Sequence, residues 1–185
     1  MFGVVLRADV RSCCVQCPSK YTFSSTAHLR HDAFAKAITK IQETWEQHNR
    51  LDLVVNNAGG QFPAPAEEIT PKGWAAVVET NLYGPWFVMQ EAARQWIEKE
   101  QGGSIVNIGT ITGRSSVGIP HTAAARAGAA GLAASLSVEW APHDIRINTV
   151  AVGVVRSPGL ANYPAEARPS FTPVSYTHLT LPTKA

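Results

Sequence analysis

From residue 32 onward the apolar positions fall into alternating helical and strand patterns. Phe34, Ile38, Ile41 and Trp45 recur at helical spacing behind Asp32, read as the N-cap, and the helix they predict ends near His48-Asn49-Arg50. Residues 51–55 follow at once as a largely apolar strand. After a Pro-rich loop over 61–66, Thr70-Pro71 opens a long helix: Thr suits the N-cap, and Pro at the first helical position gives up no needed hydrogen bond. Trp74, Val77, Val78, Leu82, Trp86, Phe87 and Trp96 give that helix its apolar stripe, and Gly102-Gly103 ends it. Residues 104–108 read as a buried strand, 109–118 as a loop, and 122–140 as an Ala-rich helix suited to close packing on a sheet. Pro142 and Asp144 mark a turn before a last strand over 146–152. Strand, helix, strand, helix, strand at this spacing predicts an α/β fold with a doubly wound parallel sheet.

Residues 1–31 lack this regularity. A short strand is expected near residues 2–6, whereas residues 12–30 mix Cys, Ser, Thr, Lys and Pro without a period. The run Val174-Ser175-Tyr176-Thr177-His178-Leu179 has the look of a translated sequencing adapter. The organisation expected is therefore an unmatched segment over 1–31, a partial domain over 32–173 and a non-native tail over 174–185.

Composition narrows the function. The 185 residues suffice for one domain with a real core. A net charge of +2 with 16% charged residues gives no footprint for nucleic acid. No apolar run is long enough to span a bilayer, and Arg7 and Asp9 interrupt any secretory pattern after Val4-Val5. The expectation is a soluble intracellular protein. Cys14-x-x-Cys17, beside Cys13, has no second Cys pair to complete a zinc site, though His28 and His31 are nearby in sequence; no metal is expected.

Chemistry concentrates after the strands. Asn56-Asn57-Ala58-Gly59-Gly60 places carboxamides and small residues at a strand's carboxyl end, where backbone can approach a flat ligand closely. Three more motifs follow in order: Thr80-Asn81-Leu82-Tyr83-Gly84, Gly103-Ser104-Ile105-Val106-Asn107-Ile108-Gly109-Thr110, and Arg146-Ile147-Asn148-Thr149-Val150-Ala151-Val152-Gly153. Together they resemble the short-chain dehydrogenase/reductase family over about residues 32–164. The resemblance implies a Rossmann-type fold whose first βα unit, with its Gly-rich turn, and last strand are missing here. Asp9-Val10 is the nearest match to the family's adenine-contacting pair. It also implies a nicotinamide cofactor contacted by Asn57, Ala58, Gly59, Arg126, Gly153, Val155 and Ser157, and a tetrameric parent.

The catalytic positions implied are Asn81, which orders water, Thr110 in place of the family's Ser, Thr122 in place of its Tyr and Arg126 in place of its Lys. Thr122 and Arg126 are four apart on a helix and share a face. Arg126 can hold ribose hydroxyls with a fixed positive charge. Thr110 can donate a hydrogen bond as Ser would. Thr122 cannot act as an acid as Tyr does: a phenol titrates at about 10 and can be lowered by a nearby cation, whereas an aliphatic hydroxyl lies far above that. His121 carries a group able to exchange protons near neutrality, though packing or capping is the simpler role.

A pocket of hydroxyls and a guanidinium without a phenol penalises ketone reduction and suits a double bond conjugated to a thioester, where charge develops on the acyl oxygen. The runs Gly59-Gly60-Gln61-Phe62, Lys72-Gly73-Trp74 and His121-Thr122-Ala123-Ala124-Ala125-Arg126-Ala127-Gly128 are similar to those of peroxisomal trans-2-enoyl-CoA reductases and their bacterial relatives. That resemblance implies an acyl-CoA substrate, NADPH, and a cytoplasmic or peroxisomal setting according to the source. A 2,4-dienoyl-CoA reductase, a 3-oxoacyl or hydroxyacyl dehydrogenase, and a non-catalytic fragment remain as alternatives. With the phosphate-cradling turn absent from its sequence, the chain is expected to bind cofactor weakly and to be inactive as it stands.

Overall fold

Four strands form one sheet in the order β1-β2-β3-β4 in the computed structural model, which describes residues 4–7, 31–111 and 118–153, with 4–7 and 31–37 described as backbone alone. The strands are β1 (Val4–Arg7), β2 (Leu53–Asn56), β3 (Gly103–Thr110) and β4 (Ile145–Val152), and the long helices are α1 (His31–His48), α2 (Pro71–Val78), α3 (Gly84–Glu98) and α4 (Pro120–Glu139). β2, β3 and β4 are parallel, with Asn56 opposite Asn107 and Thr110 opposite Val152. Their carboxyl ends therefore open on one edge.

β1 corrects the expectation of an all-parallel sheet. It pairs antiparallel with β2, Val4 facing Asn56 and Arg7 facing Leu53. The connection from β1 to β2 contains α1 as well as residues 8–30, which show no helical period, so a helix between two strands does not by itself make them parallel. The double winding is likewise not displayed by the described elements. Strand order advances one way from β2 to β4, and right-handed crossovers in one direction lay their helices on one face. Burial agrees: Val54, Asn56, Ile105, Asn107, Ile145 and Ile147 are buried beneath the helices, while the alternate residues Leu53, Val55, Val106 and Asn148 are more exposed.

The core lies between this face and the helices. Ile41 and Trp45 of α1, Val88, Met89, Ala92 and Trp96 of α3, and Ala133 and Leu136 of α4 close over Leu51, Val54, Ile105 and Ile147. Trp96 is fully buried and its indole Nε1 donates to Leu51 O at 2.6 Å. A side chain on Gly103 would overlap the Trp96 ring, which is why the strand can start there only with Gly. The apolar stripe read across α2 is less regular than expected: Val77 is buried, whereas Trp74 is 44% exposed.

Thr70 caps α2 as its sequence implies, accepting from Gly73 N at 3.1 Å, with Pro71 opening the helix. The single long helix expected beyond it is interrupted by a wider π-type turn over Glu79–Tyr83, where Gly84 N bonds back to Glu79 O. Pro85 has no N–H to give the carbonyl of Asn81, so the α-helical ladder loses a rung there and the turn widens.

Candidate active site

The widened turn fixes Asn81. Its carboxamide Nδ2 donates to Val77 O at 2.8 Å, within the helix, and to Gly60 O at 2.7 Å, in the loop after β2. Both hydrogens are then spent on backbone, and Oδ1 is left as a buried acceptor without a partner. Asn81 is thus a clamp on the small-residue turn, with one buried acceptor to spare.

The same turn meets Arg126 from α4. A methyl group on Gly59 would overlap the guanidinium and lie 3.2 Å from Asn81 Oδ1, so only Gly admits all three groups. Arg126 Nη1 also donates to Ile108 O, two residues before the end of β3. Burial lowers the Arg126 pKa, because the charged form is partly stripped of water. One guanidinium therefore ties α4 to the exits of both β2 and β3.

Thr122 lies one turn before Arg126 on the same face. It is not the helix cap: α4 starts at Pro120, Ile119 stands at the cap position, and the Thr122 hydroxyl is buried with no partner. His121 is not a cap either. It is fully buried, its ring meets Phe62 edge-on at 4.6 Å, and neither ring nitrogen has a partner. Thr110 stands at the end of β3 with its hydroxyl 3.5 Å from Val152 O, at the outer limit of a hydrogen bond.

Among the expected cofactor contacts, Ala58 is buried, Gly59 lies against Arg126, and Asn57 is exposed. Gly153 is exposed beside Ile111, next to Thr110. Val155 and Ser157 lie outside the described residues, as do Cys13, Cys14 and Cys17. The structure adds two partners that the sequence did not mark. Asn56 Nδ2 donates to Asn107 Oδ1 at 2.8 Å, locking β2 to β3 just below the site. Phe62 bridges the loop to His121 and packs close to Gly73. The signal for the first was readable in hindsight, since each Asn follows a short apolar strand run ending in Val, Leu53-Val54-Val55 and Ile105-Val106.

Residues 8–168 match the family model for short chain dehydrogenase. The chain belongs to the short chain dehydrogenase family. The match reaches further toward the N-terminus than the four motifs do. Over 133 residues, 71% of this chain and 52% of the relative, the chain is 43% identical to a probable 2,4-dienoyl-CoA reductase, (2E)-enoyl-CoA-producing, of Bacillus subtilis. It is 33% identical over 130 residues to an oxidoreductase of Mycobacterium tuberculosis, covering 69% of this chain and 48% of that one. A short chain dehydrogenase from Bacillus anthracis superposes with a TM-score of 0.62 at 34% identity, over 65% of this chain and 49% of that one. One from Mycobacterium smegmatis gives 0.63 at 30% identity, over 66% and 50%. The chain thus spans about half the length of the relatives it matches. The expected link to trans-2-enoyl-CoA reductases in particular gives way here: the 43% relative carries the name of a dienoyl-CoA reductase.

Enzymes of the family use NAD(P). The residues present fit a part of such a group. Gly59 leaves no room for a side chain at the mouth of β2, Arg126 offers a half-buried cation to ribose hydroxyls, and the Asn81 and Thr122 oxygens are buried without partners. Among the described residues no cluster of His, Cys, Asp or Glu could hold a metal, and no helix is long and apolar enough to cross a membrane.

Proposed function

We propose that the activity in which this site takes part is NADPH-dependent reduction of a carbon–carbon double bond conjugated to an acyl-CoA thioester, with 2,4-dienoyl-CoA as substrate. The observation that carries the reading is Thr122, buried and unpaired one turn from Arg126, at the position where the family's carbonyl chemistry needs a phenol. The only Tyr among the described residues is Tyr83, which is exposed.

Reduction of a ketone leaves an alkoxide that must be protonated at oxygen, and neither threonine hydroxyl is acidic enough to do so. Reduction of a conjugated double bond makes a weaker demand. The bound nicotinamide supplies hydride to the far end of the conjugated system. Negative charge moves to the thioester oxygen, where Thr122 and Thr110 donate hydrogen bonds and Arg126 adds positive charge. Asn81 Oδ1 holds a water or a cofactor hydroxyl at the turn, and the proton reaches carbon from water. The name of the 43% relative supports the diene over the simple enoyl thioester.

The test is oxidation of NADPH and NADH by the 185-residue chain, at high cofactor concentration, with 2,4-dienoyl-, trans-2-enoyl- and 3-oxoacyl-CoA. Because Asn81, Thr122 and Arg126 lie in the described residues, slow turnover is expected in place of the inactivity read from the sequence, dienoyl above enoyl, with no turnover of the 3-oxo compound and NADPH preferred. Turnover of the 3-oxoacyl thioester alone overturns the reading. Preference for the enoyl thioester selects the trans-2-enoyl-CoA reductase alternative.

A further inference from the structure

We infer that His121 reads the thioester and first amide of the pantetheine arm, and so selects acyl-pantetheine substrates over simple ketones and esters; the inference rests on the acyl-thioester reading above. Six buried side-chain polar atoms among the described residues have no partner, and four of them belong to Asn81, His121 and Thr122. A single short loop touches this group at successive points: Gly59 lies against Arg126 and Asn81, Gly60 O accepts from Asn81, and Phe62 packs on the His121 ring. The loop is itself pinned to the approach to α4, where Ala64 N donates to Gly118 O at 2.9 Å. Asn81 and His121 thus both touch one loop at the carboxyl ends of the strands, and Thr122 follows His121 directly on α4.

Buried polar groups are nearly always satisfied, so a cluster of orphans asks for a partner that arrives from outside. The chemistry of His121 says what kind. A neutral imidazole offers one donor and one acceptor. Phe62 holds the ring edge-on and supplies neither. A guest that satisfies both nitrogens must bring an acceptor and a donor close together. An acyl-pantetheine thioester does so: its carbonyl oxygen accepts, and the amide N–H two carbons beyond sulfur donates. A ketone or an alkyl thioester brings only the acceptor. Coenzyme A and a phosphopantetheinyl carrier protein share this chemistry.

The experiment measures binding, with no turnover required. Hexanoyl-N-acetylcysteamine keeps the thioester and the first amide; S-propyl hexanethioate keeps the thioester alone. Calorimetric titration of the wild-type chain with each gives the discrimination, and His121→Phe, His121→Asn and the wild type are compared. His121→Phe is expected to weaken both esters, and the N-acetylcysteamine ester by about tenfold more than the propyl ester, the difference of roughly one good hydrogen bond. His121→Asn, which keeps a donor and an acceptor, retains part of the discrimination. The ligand-free His121→Phe chain should melt above the wild type, because a buried group with nothing to bond has been removed. A lower melting point, or equal losses on both esters, overturns the assignment and makes His121 a packing residue satisfied from within. A wild-type chain that binds neither ester instead overturns the acyl-thioester reading. Hexanoyl-CoA and a hexanoyl carrier protein, titrated alongside, separate the two sources of the arm.

Discussion

Trp96 and His121 are equally buried, and their polar atoms are treated in opposite ways. Trp96 sits in the core between α3 and β3, and its single donor is spent on Leu51 O. His121 sits at the start of α4, and both its nitrogens are left without partners. The asparagines repeat the contrast. Asn56 and Asn107 bond to each other across β2 and β3, and Asn107 also reaches Met89 Sδ at 3.3 Å; Asn81 spends its donors on backbone and leaves its acceptor free. Trp45 Nε1 and Asp52 Oδ2 are the exceptions outside the loop cluster. Burial therefore does not separate core from site in this molecule. Hydrogen-bond satisfaction separates them better, Trp45 and Asp52 apart: four of the six unpartnered atoms belong to Asn81, His121 and Thr122.

Trp96→Ala gives the largest effect on the satisfied side. It removes the largest fully buried side chain and its bond to Leu51, so a loss of about 3–5 kcal/mol is expected in urea unfolding. If the chain tolerated it with less than about 1 kcal/mol lost, the core assignment would be wrong. Asn81→Ala should cost about 2 kcal/mol, roughly 1 for each backbone bond, and also loosen the loop at Gly60. Limited proteolysis between residues 59 and 66 checks the second part. Cleavage there no faster than in wild type would show that the clamp is not what holds the loop.

Much of this was legible in the chain and some was not. Thr70-Pro71 specified its own cap, and the helical spacing of Ile41 and Trp45 located the inner face of α1. These signals are local, carried by residues one to four apart. The π-type turn was written at Pro85, but a missing N–H inside an apolar helical pattern reads as an ordinary helix until the ladder is drawn. The antiparallel pairing of β1 could not be read, because its connection to β2 joins a stretch without a period, residues 8–30, to the helix α1, and a helix in the connection suggests a parallel pair. At the candidate site, Asn81, Thr122 and Arg126 were expected from motif and spacing. That Arg126 stands against Gly59 and reaches Ile108, or that Phe62 seats on His121, depends on loops meeting across the fold, and composition carries no trace of it.

Smaller effects sharpen the contrast from both sides. Thr70→Ala removes a cap bond that is not one of the unpaired groups and should cost about 1 kcal/mol in thermal or urea unfolding. Arg126 tests the electrostatics. Its pKa is lowered by burial, so the unfolded chain holds the proton more firmly than the folded one, and folding gains stability only as pH rises toward the lowered value. From about pH 6 to about pH 9 both states keep the charge, so the stability difference between Arg126→Met and wild type should stay flat. Only at the alkaline end should it move in favour of the wild type. A slope through neutrality would mean that another titrating group is coupled to this guanidinium.

Thr122→Val is the smallest change in stability and the most direct separation of the two regions. The two side chains have nearly the same shape, so packing is kept and only a hydroxyl is exchanged for a methyl group. In a satisfied core the exchange costs a hydrogen bond. At Thr122 there is none to lose, because the Oγ1 is buried without a partner, and removing it should leave unfolding unchanged or slightly harder. The same hydroxyl is proposed to donate to the acyl oxygen as charge grows there. Acyl-thioester reduction should then fall by about tenfold or more, with the loss mainly in kcat. A drop in stability with unaltered turnover would place Thr122 with Trp96 among the packed residues. A neutral effect on both would leave its hydroxyl with no role in either region.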